Sequence, residues 1–404
     1  MPLVYLDNNA TTRPAPEVID AMRPYLEEWY GNPSSVHRFG QRARQGIDGA
    51  RGQVAQLINA AESELLFTGG GTEAVNTAIR GLLAVRAPRK TIVTTTVEHS
   101  ATRELCAALA KEGLATVVEL PVDTAGQFDL DQLAAALTDD VALVTLMWAN
   151  NETGVLFPVA DVARLCRARR IPFHCDGTQA VGKIPVDVAA LGVDAMSLAS
   201  HKFHGPKGAG ALFTRRGLRL RPTLVGGPQE RGRRGGTENV PGIVGMGRAA
   251  ELAREWLSSD SAATQRVADA PEHPSAPPIL TPRQLLTLRD HLEHEILTRI
   301  PNSAVNGAAP RLPNTTNVGF SRLEAEAILL LLSEQDVCAS AGAACASGSL
   351  EPSHVLRAMN IDPKLAHGAI RFSLSRYSTA ADVARALEVL PPIIDRLRAV
   401  LPVG

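Results

Sequence analysis

The chain has 404 residues, of which 45% are hydrophobic, and its formal net charge is −1. This balance is typical of a globular protein with room for two domains, and it gives no reason to expect nucleic acid or an anionic membrane surface as a partner. No apolar run approaches the ~20 residues of a membrane span, and the first residues lack the basic and apolar segments of a secretory signal. We therefore expect a cytoplasmic protein.

The five cysteines are widely spaced and form no CxxC pair: they are Cys106, Cys166, Cys175, Cys338 and Cys345. This spacing predicts free thiols in a reducing compartment, without a disulfide framework and without a resident metal site.

The first sixty residues are predicted to be mostly helical. Residues 1–14 are irregular, with a polar turn before Pro14, and helical patterns cover 15–30 and about 38–60. The loop Gly31–Ser35 separates these two helices.

A glycine run then follows a short strand. The strand Glu64–Thr68 leads into Gly69-Gly-Gly-Thr-Glu73, and a helical pattern runs from Ala74 to Leu83. The free N–H groups and the dipole of a helix N-terminus favour a phosphate, so Gly71 and Thr72 are candidate phosphate ligands. A tight turn without a ligand is the alternative interpretation.

Strands and helices alternate over the next part of the chain. Predicted helices lie at about 100–112, 129–137, 159–169 and 248–257. The apolar strands between them are Thr91–Thr96, Thr116–Leu120, Val141–Trp148, Pro172–Cys175, Ala195–Ala199 and Gly210–Thr214. This pattern predicts an α/β fold with a mostly parallel sheet covered by helices on both faces.

Polar clusters follow four of these strands, and ligands of such sheets bind at the carboxyl ends of strands. The clusters are Glu98-His99, Asn150–Glu152, Asp176–Gln179 and Ser200–Lys202. A lysine between a buried strand and a tight turn is poorly solvated, which lowers its pKa and lets the neutral amine form a Schiff base. A surface lysine is the alternative interpretation of Lys202.

The composition changes after the sheet region. Residues 258–283 are rich in Ser, Ala and Pro and are predicted to be a flexible insertion or linker. We expect a large cofactor-binding domain at 15–257 and a smaller α+β domain at 1–14 and 284–404. Within the smaller domain, the glycine-rich stretch from Cys338 to Ser349 is predicted to be a flexible loop; a simple connector is its alternative.

Pyridoxal phosphate would need the groups that this pattern supplies. Lys202 offers the amine, and Asp176 offers a carboxylate that keeps the ring nitrogen protonated, so that the ring acts as an electron sink. His99 is a flat group for the ring face, Gln179 a donor for the ring oxygen, and Arg371 a cation for a substrate carboxylate.

Each of these residues also has a structural interpretation. Asp176 could cap a helix, His99 could cap a helix or be a buried imidazole, and Arg371 could form an ion pair. Asn151 could stabilise a turn, and Thr237 could be a hydroxyl in a solvated basic loop.

Several longer motifs occur in order over nearly the whole chain: Tyr5–Thr12, Gly31–Ser35, Phe67–Glu73, Val97–His99, Trp148–Gly154, Asp176–Lys183, His201–Lys202, Gln229–Asn239, Gly342–His354 and Ile370–Ser373. On these motifs the chain resembles the cysteine desulfurases, within the class V aminotransferase-like group of pyridoxal phosphate enzymes. It looks similar to their nitrogen-fixation (NifS-type) branch. The resemblance implies an aspartate aminotransferase-like fold (fold type I).

The resemblance also implies residue roles. Lys202 would form the Schiff base, His99 would stack on the ring and take part in proton transfer, and Cys345 would be the nucleophile. Asn151 and Arg371 would hold the substrate carboxylate. The remaining cofactor contacts would come from Gly71, Thr72, Asp176, Gln179, Ala199, Ser200 and His201, and from Thr237, which would reach the phosphate in the partner subunit of a homodimer. Position 199 is Ala where the family often has Ser, so main-chain N–H groups and His201 would have to compensate there.

The implied reaction converts L-cysteine to L-alanine and leaves a persulfide on Cys345. An iron–sulfur scaffold protein would accept the sulfur, for nitrogenase clusters in this branch, and Cys345 could meet a scaffold cluster transiently. The alternatives are a housekeeping desulfurase, a class V transaminase or selenocysteine lyase, and a binding module without catalysis.

Overall fold

The computed structural model describes residues 3–260, 279–341 and 352–400. Most of the predicted insertion at 258–283 and most of the predicted loop at 338–349, including Cys345, therefore lie outside the described residues. Among the residues described, no helix is long and apolar enough to cross a membrane.

The helices alternate with strands along most of the chain, as the sequence predicts. The strands are β1 Val4–Tyr5, β2 Leu65–Thr68, β3 Thr91–Thr95, β4 Thr116–Leu120, β5 Val141–Met147, β6 Phe173–Asp176, β7 Ala195–Ala199, β8 Gly210–Thr214, β9 Ser303–Val305, β10 Thr315–Phe320, β11 Val337–Cys338 and β12 Ala369–Ser373. The helices are α1 Pro16–Glu27, α2 Arg38–Leu57, α3 Gly71–Arg86, α4 Ser100–Lys111, α5 Leu130–Ala136, α6 Val159–Ala168, α7 Val188–Leu191, α8 Val240–Ser258, α9 Pro282–Arg299, α10 Ala325–Glu334, α11 His354–Ala358, α12 Pro363–Ala366 and α13 Ala380–Val400.

The largest sheet among the described residues has the strand order β2-β8-β7-β6-β5-β3-β4. Only β8 in this sheet runs antiparallel to its neighbours β2 and β7. The prediction of a mostly parallel α/β sheet is confirmed. The carboxyl ends of β3, β5, β6 and β7 consequently meet along one edge, where the sequence places its polar clusters.

Except in the edge strand β4, the strands of this sheet are buried on both faces. Neighbouring side chains of a strand point to opposite sides, so a strand can contribute to two hydrophobic clusters. Leu143 of β5 packs in a cluster with side chains of α3 and α4, such as Ile79 and Leu105. The next residue, Val144, packs in the main core with Ile47 of α2 and Met246 of α8. Two-sided burial explains why these strands are continuously apolar in sequence.

A second hydrophobic core is formed by β10, β12, α9, α10 and α13. The N-terminal side chains Val4 and Leu6 belong to this core, because β1 pairs with β11. The separate cores support the predicted division into a large and a small domain, which we keep as a proposal.

Helix α8 begins eight residues before its predicted start. The helix contains Gly242, Gly245 and Gly247. Because glycine has a low helix propensity, the sequence pattern underestimates the length of this helix. A Cβ on Gly247 would lie 2.6 Å from the Cα of Ala50, and one on Gly245 would lie 2.7 Å from Met22. These glycines therefore permit close packing of α8 on α2 and α1, which compensates for their low propensity.

Candidate active site

A cavity of about 640 Å³ lies at the carboxyl edge of the sheet, beside the small core. It is lined by residues from strand ends, from the N-terminus of α3 and from β12. The predicted site residues on its wall are Gly71, Thr72, His99, Asn151, Asp176, Gln179, Ala199, His201, Lys202 and Arg371. The fold thus brings together in one cavity residues that are up to 300 positions apart in the chain.

Lys202 lies in the single 3₁₀ turn, Ser200–Lys202, that directly follows β7. Its Nζ donates hydrogen bonds to the carbonyl oxygens of Asn9 at 2.6 Å and Ala10 at 2.9 Å. The turn needs Gly205, because a Cβ there would lie 1.9 Å from the Oγ of Ser200. The amine is therefore held at the strand end by the N-terminal segment.

Asp176 and His99 lie on the cavity wall at the ends of β6 and β3. The Oδ1 of Asp176 accepts the N–H of Thr178 at 3.0 Å, and the Nδ1 of His99 caps α4 by accepting the N–H of Ala101 at 3.1 Å. The capping interpretation of His99 is correct, and the same ring also borders the cavity. Because burial lowers the pKa of His99, the ring is neutral near pH 7 and its remaining proton is on Nε2.

The N-terminus of α3 opens onto the cavity at Gly71 and Thr72. Gly70 caps this helix with φ of 153°, a conformation that glycine adopts easily. A Cβ on Gly71 would lie 3.3 Å from the Cβ of Ala199 and from the Oγ1 of Thr178, so the space here is narrow. A helix N-terminus with small residues around it can hold a phosphate by its N–H groups.

Arg371 lies on β12 with 1% of its surface exposed. It donates to the main-chain oxygen of Asn151 at 2.9 Å and forms a 2.6 Å ion pair with Asp7. The ion-pair interpretation is therefore also correct. The sequence predicts only that Asp7 belongs to a polar turn. Its pairing with Arg371, 364 positions away, cannot be read from the residues around Asp7.

The amide of Gln179 bridges two groups that the sequence reasoning missed. Its Nε2 donates to the carbonyl oxygen of Asn9 at 2.9 Å, and its Oε1 accepts from the Nζ of Lys183 at 2.5 Å. Asn9 and Lys183 are inside motifs that were recognised, Tyr5–Thr12 and Asp176–Lys183, but no role was assigned to either of them.

A buried carboxyl group, that of Glu98, directly precedes His99 in the chain. It accepts hydrogen bonds from the Oγ1 of Thr95 at 2.6 Å and from the N–H of Met147 at 3.0 Å. Burial nevertheless raises the pKa of Glu98 to about 8. The carboxyl is consequently neutral over most of the physiological range.

Residues next to the undescribed segment 342–351 also line the cavity. The Nε2 of His354 lies 3.0 Å from the carbonyl oxygen of Glu98, and the Oγ of Ser353 donates to Glu152 at 2.5 Å. Burial lowers the pKa of His354 to about 4 and raises the pKa of Glu152. The sequence predicts no role for these three side chains, although all of them lie in the motifs Trp148–Gly154 and Gly342–His354.

Three predicted residues are not on this wall. The Oγ of Ser200 is buried beside Gly205 and has no hydrogen-bond partner among the described residues. Thr237 is exposed and borders a different, smaller groove. Cys345 lies outside the described residues. Within the described parts of the chain there is no group of three or more His, Cys, Asp or Glu side chains that could hold a metal ion.

The chemical groups on the cavity wall are those that pyridoxal phosphate needs. An amine, a buried carboxyl group and a neutral imidazole line the space, together with the narrow helix N-terminus at Gly71. Arg371 on the same wall can bind the carboxylate of an amino acid.

Comparisons with known proteins show which family the chain is similar to. The Aminotransferase class-V family model matches residues 4–270 and 283–386. A protein of Trichormus azollae named cysteine desulfurase is 50% identical over 403 residues, covering 100% of this chain and 95% of the relative. The cysteine desulfurase NifS of Azotobacter vinelandii is 49% identical over 401 residues, covering 99% of this chain and 94% of the relative. A solved NifS-like protein superposes with a TM-score of 0.86 at 35% identity, and the match covers 99% of this chain and 100% of that one.

The raised pKa of Glu98 predicts a pH-dependent stability. A buried acid with a pKa of about 8 binds a proton that the unfolded chain, with the ordinary value of 4.5, has lost, so stability falls as pH rises between these values. From pH 6 to pH 8 we expect the free energy of unfolding of the wild type to fall by about 2 kcal/mol relative to Glu98→Gln, since each pH unit is equivalent to about 1.4 kcal/mol. Urea unfolding at several pH values measures this difference.

The matched control is Glu104→Gln, which changes an exposed carboxyl on α4, the helix that begins two residues after Glu98. Its pH profile should follow that of the wild type. Parallel profiles for the wild type and Glu98→Gln would contradict a neutral Glu98.

Proposed function

This chain belongs to the class V aminotransferase family, and we propose that it acts as a cysteine desulfurase that moves the sulfur of L-cysteine onto Cys345. The enzyme depends on pyridoxal 5′-phosphate, as the family does. The observation that carries the proposal is the convergence of Lys202, Asp176, His99 and Arg371 on one cavity, in a chain that is similar to cysteine desulfurases over its full length.

We assign the cofactor contacts by chemistry and position. The N–H groups at Gly71 and Thr72, together with the main chain at Ala199 and His201, would bind the phosphate. Asp176 would hold the protonated ring nitrogen, His99 would stack on the ring, and Gln179 would donate to the ring oxygen. Bound pyridoxal phosphate supplies an electron sink for the α-carbon of the substrate.

We assign the transfer of the substrate's α-proton to Lys202. Its Nζ, which the carbonyl oxygens of Asn9 and Ala10 hold at the cavity wall, removes the α-proton of L-cysteine and can return a proton to the product. Arg371 and Asn151 bind the substrate carboxylate. Because Arg371 already pairs with Asp7, its orientation is set before the substrate arrives.

Cys345 takes the sulfur. Its thiolate attacks the sulfur of the substrate, an S–S bond forms and the Cβ–S bond breaks. The electron pair of the broken bond stays on carbon, which takes up a proton, and L-alanine leaves. The described chain resumes after Cys345 at Pro352, which lines the cavity.

A homodimer completes this proposal. Thr237 is exposed and is not part of the cavity wall of its own chain, which supports a contact with a partner subunit. Large apolar side chains between residues 26 and 36 also remain exposed, including Leu26 at 62%, Tyr30 at 73% and Val36 at 93%. A second copy of the chain would bury such side chains.

The sulfur acceptor that we propose is an iron–sulfur scaffold protein in the cytoplasm. The similarity to NifS of Azotobacter vinelandii supports a role in nitrogenase clusters. A housekeeping supply of sulfur would use the same chemistry with a different acceptor.

The assignment of the nucleophile predicts different outcomes for two cysteines. Cys345→Ala should keep the yellow colour of the bound cofactor but should form no sulfide or L-alanine from L-cysteine in the presence of a reductant. The control Cys338→Ala changes a partly exposed thiol on β11 and should keep wild-type turnover. A Cys345→Ala enzyme that still turns over L-cysteine would instead indicate a lyase or a transaminase.

The assignment of Arg371 predicts a loss of substrate affinity. Arg371→Met removes charge-assisted hydrogen bonds to the substrate carboxylate, so the KM for L-cysteine should rise about 10- to 100-fold. The control Arg311→Met removes a similar ion pair of the small domain, with Glu293, and should leave the KM near the wild-type value. An unchanged KM in Arg371→Met would show that Arg371 has only a structural role.

A further inference from the structure

Lys183 is a buried lysine to which the proposed reaction gives no role. Its exposed fraction is 7%, and its Nζ donates to the Oδ1 of Asn9 at 2.8 Å and the Oε1 of Gln179 at 2.5 Å. Both acceptors are neutral amides, and no carboxylate among the described residues pairs with this lysine. Burying an amine in this way is unfavourable, so the position needs a specific reason.

The two acceptors are matched to an amine in either charge state. Burial lowers the pKa of Lys183 well below its ordinary value, and the nearby cations Lys202 and Arg371 lower it further. A neutral amine keeps two N–H donors, and Asn9 and Gln179 accept two hydrogen bonds. Protonation is therefore not required for these contacts.

The contact with Lys183 fixes which end of the Gln179 amide faces which neighbour. The oxygen accepts from Lys183, and the nitrogen donates to the carbonyl oxygen of Asn9. A flipped amide would place its oxygen against the carbonyl oxygen of Asn9 and would lose the hydrogen bond that Lys183 donates to its oxygen. Because the amide nitrogen carries two hydrogens, the second one is left for a group in the cavity.

Lys183 also contacts Asn9, whose main-chain oxygen accepts a hydrogen bond from Lys202. The Oδ1 of Asn9 accepts from Lys183, while the main-chain oxygen of Asn9 accepts from both Lys202 and Gln179. The Nδ2 of Asn9 donates to the Oγ1 of Thr315 in β10, so Asn9 cannot turn without losing several hydrogen bonds. Lys183 thus acts on both residues through one contact network.

We propose that Lys183 is a positioning residue that directs an N–H of Gln179 towards the cofactor. This inference rests on the proposed contact between Gln179 and the cofactor ring. A purely structural Lys183 would instead affect the stability of the fold without a specific effect on the cofactor.

The test compares Lys183→Met with the wild type in the full-length protein. Met preserves most of the length and apolar volume of the side chain but has no donor. We expect the dissociation constant of pyridoxal phosphate to rise about 5- to 10-fold, as for the loss of one oriented hydrogen bond, and the pH midpoint of the visible absorbance band to shift. Equilibrium dialysis and a spectrophotometric pH titration measure these quantities.

A double-mutant cycle with Gln179→Leu separates positioning from stability. If Lys183 acts through Gln179, the double variant should bind the cofactor no more weakly than Gln179→Leu alone. The control Arg289→Met removes another buried cation, which donates to the carbonyl oxygens of Leu312 and Thr315, and it should lower the stability without changing cofactor affinity. Effects of Lys183→Met and Gln179→Leu that add independently would overturn the proposal.

The outcomes also separate this inference from the proposed function. If Gln179→Leu weakens cofactor binding and Lys183→Met does not, the role of Lys183 is wrong and the contact of Gln179 stands. If Gln179→Leu has no effect on the cofactor, the contact of Gln179 and this inference both fail. Should Lys183→Met not fold, Lys183→Gln, which keeps an N–H donor on a shorter chain, enters the same cycle. Lys183→Gln should lose less affinity for pyridoxal phosphate than is expected for Lys183→Met.

Discussion

The hydrogen bonds of Asn9 are the constraint on which the rest of the site depends. Asn9 is 1% exposed, its main-chain oxygen accepts from Lys202, and its side chain contacts Lys183 and, in β10, Thr315. The N-terminal segment thus connects the two hydrophobic cores beside the amine of Lys202. Because a buried amide that loses a partner is costly, the relative position of the two cores and that of Lys202 are fixed together.

The electrostatics of the cavity follow from burial. Burial lowers the pKa of His99, and it lowers those of His201 and His354 to about 4, so all three imidazoles are neutral near pH 7. Neutral rings can stack on a cofactor and offer a single N–H without competing for its anionic groups. Positive charge on the cavity wall then comes from other side chains, of which Arg371 is the proposed ligand of a substrate carboxylate.

Much of the fold and of the site could be predicted from the sequence, because both depend on local patterns. Apolar strands that end in polar clusters predict a parallel sheet whose carboxyl edge holds Asp176 and Lys202. The partners of these residues could not be found in that way. Asn9 and Lys183 are 174 positions apart, and no periodicity indicates which buried amide a lysine will meet. Glycine-rich α8 was also underestimated, because its glycines serve packing against α2 rather than helix propensity.

The central claim is that Lys202, and no other lysine, binds the cofactor covalently. Reduction of the yellow protein with sodium borohydride, followed by proteolysis and mass spectrometry of the peptides, tests it most directly. The account predicts a pyridoxyl group on the peptide that contains Lys202, which lines the cavity, and none on the peptide that contains Lys183, which does not. A label on Lys183, or no label on any lysine of a fully coloured protein, would contradict the account.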